Sequence, residues 1–170
     1  MPNNDKVVIN LATGLEDAGT AWELTGRLCE VLVRELDGVA CLVSRVIGDA
    51  IIQVAEYAAD GRSYQLGRGF LVSEFPATEE VLTTGTPQAV SVDDDDPDPA
   101  EVEVLNDLAV RSVLMLALNA DTRGWGLVEV YRNEPVTFDA DEIEHAQEIV
   151  AQADERLARL VHGRRSSGAA

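Results

Sequence analysis

VRSVLMLALNADTRGWGLVEVYR, residues 110–132, decides the fold. Two apolar runs, 112–118 and 126–131, flank a polar stretch, 119–124, that contains Asp121 and Gly124. Strand-length apolar runs joined by turn-forming residues read as a β-hairpin. In the first run Val113, Met115 and Ala117 share one face, and Leu114, Leu116 and Leu118 share the other. A strand apolar on both faces must be covered on both, so it lies inside a sheet with a layer on each side. In the second run only Glu129 breaks the apolar pattern.

Downstream, Asp139 stands as N-cap of a long helix and Glu142 at its third position, a capping-box arrangement. Phe138 and Ile143 flank the cap as a hydrophobic staple. Ile143, Ala146, Val150, Ala153, Leu157 and Leu160 are spaced 3, 4, 3, 4, 3. That is a coiled-coil seam, expected to pair with a second chain, with Ile149 turned to the sheet. Upstream, Thr20 caps a helix that carries Leu24, Leu28, Val31 and Leu32 at helical spacing and ends at Asp37-Gly38. Strands are expected at 39–47 and 50–59 around the two-residue turn Gly48-Asp49, with a short third strand at 63–66. A helix at 77–84, between Pro76 and Gly85, leads to a strand at 87–92. A further helix runs from Pro99 or Ala100 to Ala109. The run Val7-Val8-Ile9 is readable as an edge strand or as a segment packing on a partner.

The chain holds 13 basic and 31 acidic residues, a net charge of −18, which repels phosphate backbones and argues against a nucleic-acid partner. The start, MPNNDKVVINLATG, lacks a basic region followed by an apolar run of signal length, and no apolar stretch reaches the roughly 18 residues of a membrane span. A cytoplasmic protein without membrane contact is expected. Cys29 falls in a helical pattern and Cys41 in a strand pattern, where small buried hydrophobes are the expected role.

Four segments in order resemble a GAF domain. They are Val81-Leu82-Thr83-Thr84-Gly85-Thr86-Pro87, Val110-Arg111-Ser112 opening the hairpin, Gly126-Leu127-Val128-Glu129-Val130-Tyr131, and Phe138 with Glu142-Ile143. The resemblance, to a stand-alone bacterial member of the family, covers about residues 20–160. It implies an α+β, GAF/PAS-like fold: a central antiparallel sheet of five to six strands with the N- and C-terminal helices on one face. Expected boundaries are a flexible N-terminal segment at 1–17, the domain at 18–162 and a tail at 163–170. The implied function is non-catalytic sensing of an unidentified small molecule, with homodimerisation through the terminal helices. Leu24, Leu28 and Val31 would join the six seam residues in that interface. No kinase, cyclase or helix-turn-helix pattern lies outside the region, so a separate signalling protein would read the state, unless the chain is a piece of a larger one. The alternative is an interaction module with a filled pocket.

Family architecture implies a cavity between one sheet face and the segments 64–75 and 91–111. Tyr57, Phe70, Ser73, Phe75, Met115 and Trp125 are its expected walls. Arg111 either holds an anionic ligand or ties down the aspartate run 93–96. That run, with Asp98, lacks EF-hand spacing and suits a solvated loop before a helix. His145 and His162 read as surface or interface residues rather than ligands to haem or another metal. Cysteine-dependent relatives, the methionine sulfoxide reductases and bilin binders, carry thiols in the loops around the pocket, where this chain has none. The N-K-F-D-E-type signature of cyclic-nucleotide binders is also missing. No cofactor is identified by any motif.

Overall fold

The computed structural model describes residues 11–64 and 67–167. Its elements are α1 (Leu11–Glu16), α2 (Ala21–Glu35), β1 (Ala40–Ile47), β2 (Ala50–Ala58), β3 (Gly69–Leu71), α3 (Pro76–Thr84), β4 (Gln88–Ser91), α4 (Pro99–Asp107), β5 (Ser112–Ala120), β6 (Arg123–Arg132) and α5 (Ala140–Ser167). The six strands form one sheet in the order β3-β2-β1-β6-β5-β4, every neighbouring pair antiparallel.

The two-faced strand β5 divides the interior as its sequence requires. Leu114, Leu116 and Leu118 join a core with α2 and α5; Val113 and Met115 join a second core with α3 and α4. The β5–β6 turn is tighter than expected: pairing continues to Ala120 opposite Arg123, leaving Asp121-Thr122 as the loop. Asp121 takes the left-handed conformation there, φ 60°.

Capping follows the sequence. The backbone N–H of Glu142 donates to Asp139 at 2.9 Å, and that of Asp139 donates to Glu142 at 2.9 Å. Glu23 N–H donates to Thr20 Oγ1 at 3.1 Å. The end of α2 differs in detail. Asp37, not Gly38, takes the positive φ of 51°. Gly38 is needed for space instead, because a Cβ there would stand 3.0 Å from Val130 Cγ1 and 3.2 Å from the Tyr131 carbonyl.

Several boundaries are corrected. The third strand lies at Gly69–Leu71 rather than 63–66, and Ser63 and Tyr64 are not in a strand; Gln65 and Leu66 lie outside the described residues. Helical structure begins at Leu11, inside the expected flexible segment, with Leu15 and Ala18 buried. The last helix continues to Ser167. The Val7-Val8-Ile9 run lies outside the described residues.

The largest correction concerns the seam. Ala146, Val150, Ala153 and Leu157 are buried within the protomer, and so are Leu24 and Leu28. These six side chains belong to the chain's own helix-side core. A 28-residue helix lying along a sheet and a second helix repeats its apolar positions at nearly the coiled-coil period, because 3.5 and 3.6 residues per turn diverge slowly. Val31, Ile143 and Leu160 alone among the nine expected interface residues keep partial exposure.

Candidate functional site

On the face away from α2 and α5, a cleft opens between the sheet and the segments that follow β3 and β4. Its floor is Ile51 and Gln53 from β2 and Glu129 from β6; its roof is Thr78 from α3 with Glu101 and Val104 from α4. Phe70 and Phe75 close one side, edge to face at 5.8 Å between ring centres. The interior void is about 20 Å³, room for about one water molecule.

One aspartate sets the roof. Asp98 caps α4, accepting from Ala100 N–H at 3.0 Å, and its other oxygen accepts from Ala77 N–H in the first turn of α3 at 2.9 Å. Both helix starts are thereby tied to one carboxylate, which their dipoles favour. Other members of the aspartate run also serve the loop. Asp94 accepts from Ser91 N–H at 2.8 Å, and Asp93 pairs with Arg111 at 3.1 Å.

Two carboxyl groups face the void. Glu101 is 3% exposed and Glu129 7%. Thr78 Oγ1 donates to Glu101 at 2.8 Å, and the Tyr131 hydroxyl donates to Glu129 at 3.0 Å. Neither has a basic partner among these contacts. Burial therefore dominates their titration, pushing Glu101 up to about 7 and Glu129 up to about 8. The nearby charge of Asp98 adds to the first shift, and Glu101 itself to the second. Burial likewise raises the Tyr131 phenol.

The structure brings together only part of the expected site. Phe70 and Phe75 line the cleft, and Met115 lies under it, its sulfur 3.6 Å from Thr78 Oγ1. Tyr57 does not reach it. Val43 pairs with Ala55 but Ser44 with Gln53, so Val54 is an extra residue in β2. That bulge reverses the alternation, and Tyr57 packs in the helix-side core. Trp125 is displaced in the same way, an extra residue between Gly124 and Gly126; it packs on the helix side under the Arg45 guanidinium, 4.7 Å from the ring centre. Ser73 turns to the β1–β2 turn, donating from its hydroxyl to Asp49 at 2.7 Å. Arg111 is exposed and ties down Asp93, so its alternative role as ligand anchor is set aside.

The lining residues missed from sequence are the apolar Ile51 and Val104 and the polar Gln53, Thr78, Glu101 and Glu129. Glu129 carried a signal, the one charge in an apolar strand. Glu101 carried none, because an acidic residue in the first turn of a helix is ordinary.

Both cysteines lie in the opposite core, fully buried. Burial, and then the neighbouring Cys29, raise the Cys41 thiol well above its usual range. His145 pairs with Glu35 at 2.9 Å, and His162 pairs with Asp121, both away from the cleft. A second cavity, about 140 Å³, lies beside β5 and α5 near Pro87 and Leu116. Its one carboxyl, Asp154, already accepts from Asn119 N–H at 2.8 Å, so the smaller cleft holds the more concentrated chemistry. Among the described residues no group of three or more His, Cys, Asp or Glu side chains is placed to hold a metal, and no helix is long and apolar enough to cross a membrane.

The sequence model of the GAF domain matches residues 23–157, 135 of 170 positions. The chain belongs to the GAF family. The phycocyanobilin-bound GAF domain of a cyanobacterial phytochrome superposes with a TM-score of 0.71 at 24% identity, over 86% of this chain and 85% of that one. The blue-light-absorbing form of the PixJ GAF domain from Thermosynechococcus elongatus gives 0.74 at 19% identity, over 87% and 90%. Bacteriophytochrome RpBphP3 from R. palustris gives 0.78 at 13% identity; 91% of this chain matches 36% of that photoreceptor. At these identities the likeness is one of fold. No curated protein matches the chain.

Proposed function

We propose that this GAF domain is a non-catalytic sensor that binds a small molecule in the cleft roofed by α3 and α4. The observation that carries the reading is the burial of two carboxyl side chains, Glu101 and Glu129, against a void with only hydroxyl partners. Such burial is costly for folding and serves ligand recognition better than packing. Bilin as the ligand is disfavoured. Several similar structures hold bilins, but here both thiols lie in the other core and the void is about 20 Å³.

A route from cleft to helices supports the sensing role. Tyr131 contacts Glu129 on the cleft face. The next residue, Arg132, points to the helix side, where its Nε donates to the Leu36 carbonyl at the end of α2 at 3.1 Å and its Nη2 donates to Glu142 at the start of α5 at 2.6 Å. A ligand that moves β6 acts on both helices through this one side chain. The signal then passes through their exposed positions to a second copy or to a signalling protein.

The second reading, an interaction module with a filled pocket, is favoured by the small void. Native mass spectrometry separates the two. A reproducible adduct on the wild type, lost when Val104→Trp plugs the cleft, supports the sensor. A bare mass in both, with partner binding unaffected by the plug, supports the filled pocket.

A further inference from the structure

The chemistry of the cleft narrows the class of ligand. Both titratable side chains in its wall are acidic, and no basic side chain lines it. A further polar group stands behind them. Ser44 is on the same sheet face, directly across from Gln53 on one side and Leu127 on the other. It is fully buried, and its hydroxyl makes no hydrogen bond. An unpartnered hydroxyl is unusual in a folded interior, but this one does not line the void and can donate as well as accept, so the choice of ligand rests on the two carboxyls and the aromatic wall.

Resting on the reading of this cleft as the ligand site, we propose that it takes the ammonium group of a primary amine, with the amine's carbon skeleton against Phe70 and Phe75. An ammonium brings three donors, and each carboxylate offers about four acceptor positions, of which one is occupied, by Thr78 at Glu101 and by Tyr131 at Glu129. The void of about 20 Å³ suits a water-sized head group and is too small for a planar guanidinium. An anion would find no basic side chain in the wall to pair with. The net charge of −18 also draws cations toward the surface.

Proton balance agrees with this choice. Burial keeps both carboxyls protonated well above the usual range. An entering ammonium favours their charged forms, so binding expels protons and tightens as pH rises from about 6 to 8. The other charged or titratable groups nearby are Tyr131 on β6, with Tyr64 stacked on its ring at 6.5 Å and Arg62 over Tyr64, Cys41 on β1, Asp98 at the start of α4, Glu56 on β2 and Arg68, whose guanidinium lies 5.6 Å from the Phe70 ring centre. Glu56 is engaged by Ser63 and Tyr64 N–H. Arg68 is not a lining residue.

The chain has two methionines, and Met115 is the one under the cleft. Its ¹³C-methyl signal in the full chain therefore reports occupancy. The probes are 2-phenylethylamine, the neutral 2-phenylethanol and the anionic 3-phenylpropanoate, titrated at pH 8 and again at pH 6. The expected result is a saturable Met115 shift with the amine, at least about tenfold tighter than with the alcohol, and weaker at pH 6. Glu129→Gln and Glu101→Gln should each weaken the amine about tenfold and leave the alcohol unchanged. Retained Met115 dispersion shows that each variant is folded. Equal binding of amine and alcohol, a preference for the anion, or indifference to both substitutions overturns the proposal. So does no shift with any probe. In those cases the native-mass adduct and its loss in Val104→Trp decide separately whether the sensor reading survives.

Discussion

A carboxyl group on a buried strand is stable only if it is neutralised or well partnered. Glu129 has one hydroxyl donor, Tyr131, and stays protonated to about pH 8. The sign of its effect on stability follows directly. Its folded value lies above the ordinary 4.5, so the folded state holds more protons than the unfolded one between those values. Its contribution to stability is fully present below about pH 4.5 and is lost as pH rises to about 8; Glu101 acts the same way up to about 7. Glu129→Gln keeps the shape and the acceptor for Tyr131 but removes the titration. We expect it to raise unfolding free energy at pH 8 by on the order of 3 kcal/mol and to change it little at pH 4.5. Urea denaturation at the two pH values measures this. An equal effect at both would mean that Glu129 is ionised in the fold throughout.

At the scale of elements, what the sequence made legible is what has a periodic signature. The two-faced apolar run of β5, the capping box of α5 and the Gly48-Asp49 hairpin all appear as read. What stayed hidden are single-residue insertions. A bulge needs no special residue type, so neither Val54 nor Trp125 announced one, and each reversed the faces beyond it. Tyr57 and Trp125 left the expected site for that reason alone. The carboxyls were half legible, Glu129 as a broken pattern and Glu101 hidden as an ordinary helix-start acid. A close approach of strands beside the second bulge gives a strong prediction. A Cβ on Gly126 would stand 2.2 Å from the Ser44 carbonyl oxygen, which is backbone and cannot swing aside. Gly126→Ala must part β1 from β6, and we expect a loss of at least about 3 kcal/mol, read from the urea midpoint. Gly124→Ala, with open space at its Cβ position and no positive φ, is the control and should be near neutral.

For the whole molecule, any pairing of copies must use positions outside the buried part of the expected seam, because most of that seam lies in the chain's own core. Leu157 is fully buried between the helices and the sheet. A charge there has no solvent and no partner, so Leu157→Asp should abolish cooperative unfolding by costing about 4 kcal/mol or more, and its mass in solution would say nothing about a dimer. Leu160, half-buried one turn on, is the informative position. Our reading has the domain pairing through the three expected interface positions of α2 and α5 that keep partial exposure, Val31, Ile143 and Leu160. Two copies at −18 each repel one another, and that repulsion is screened over about 10 Å at 0.1 M salt and about 3 Å at 1 M. The dimer should therefore strengthen with salt, opposite to an interface held by ion pairs. Sedimentation equilibrium across that range tests it. A mass near twice 18.3 kDa that rises with salt and drops in a still-folded Leu160→Asp variant places the interface on these helices. A mass that stays at 18.3 kDa at 1 M salt means that a different protein, and not a second copy, reads this face.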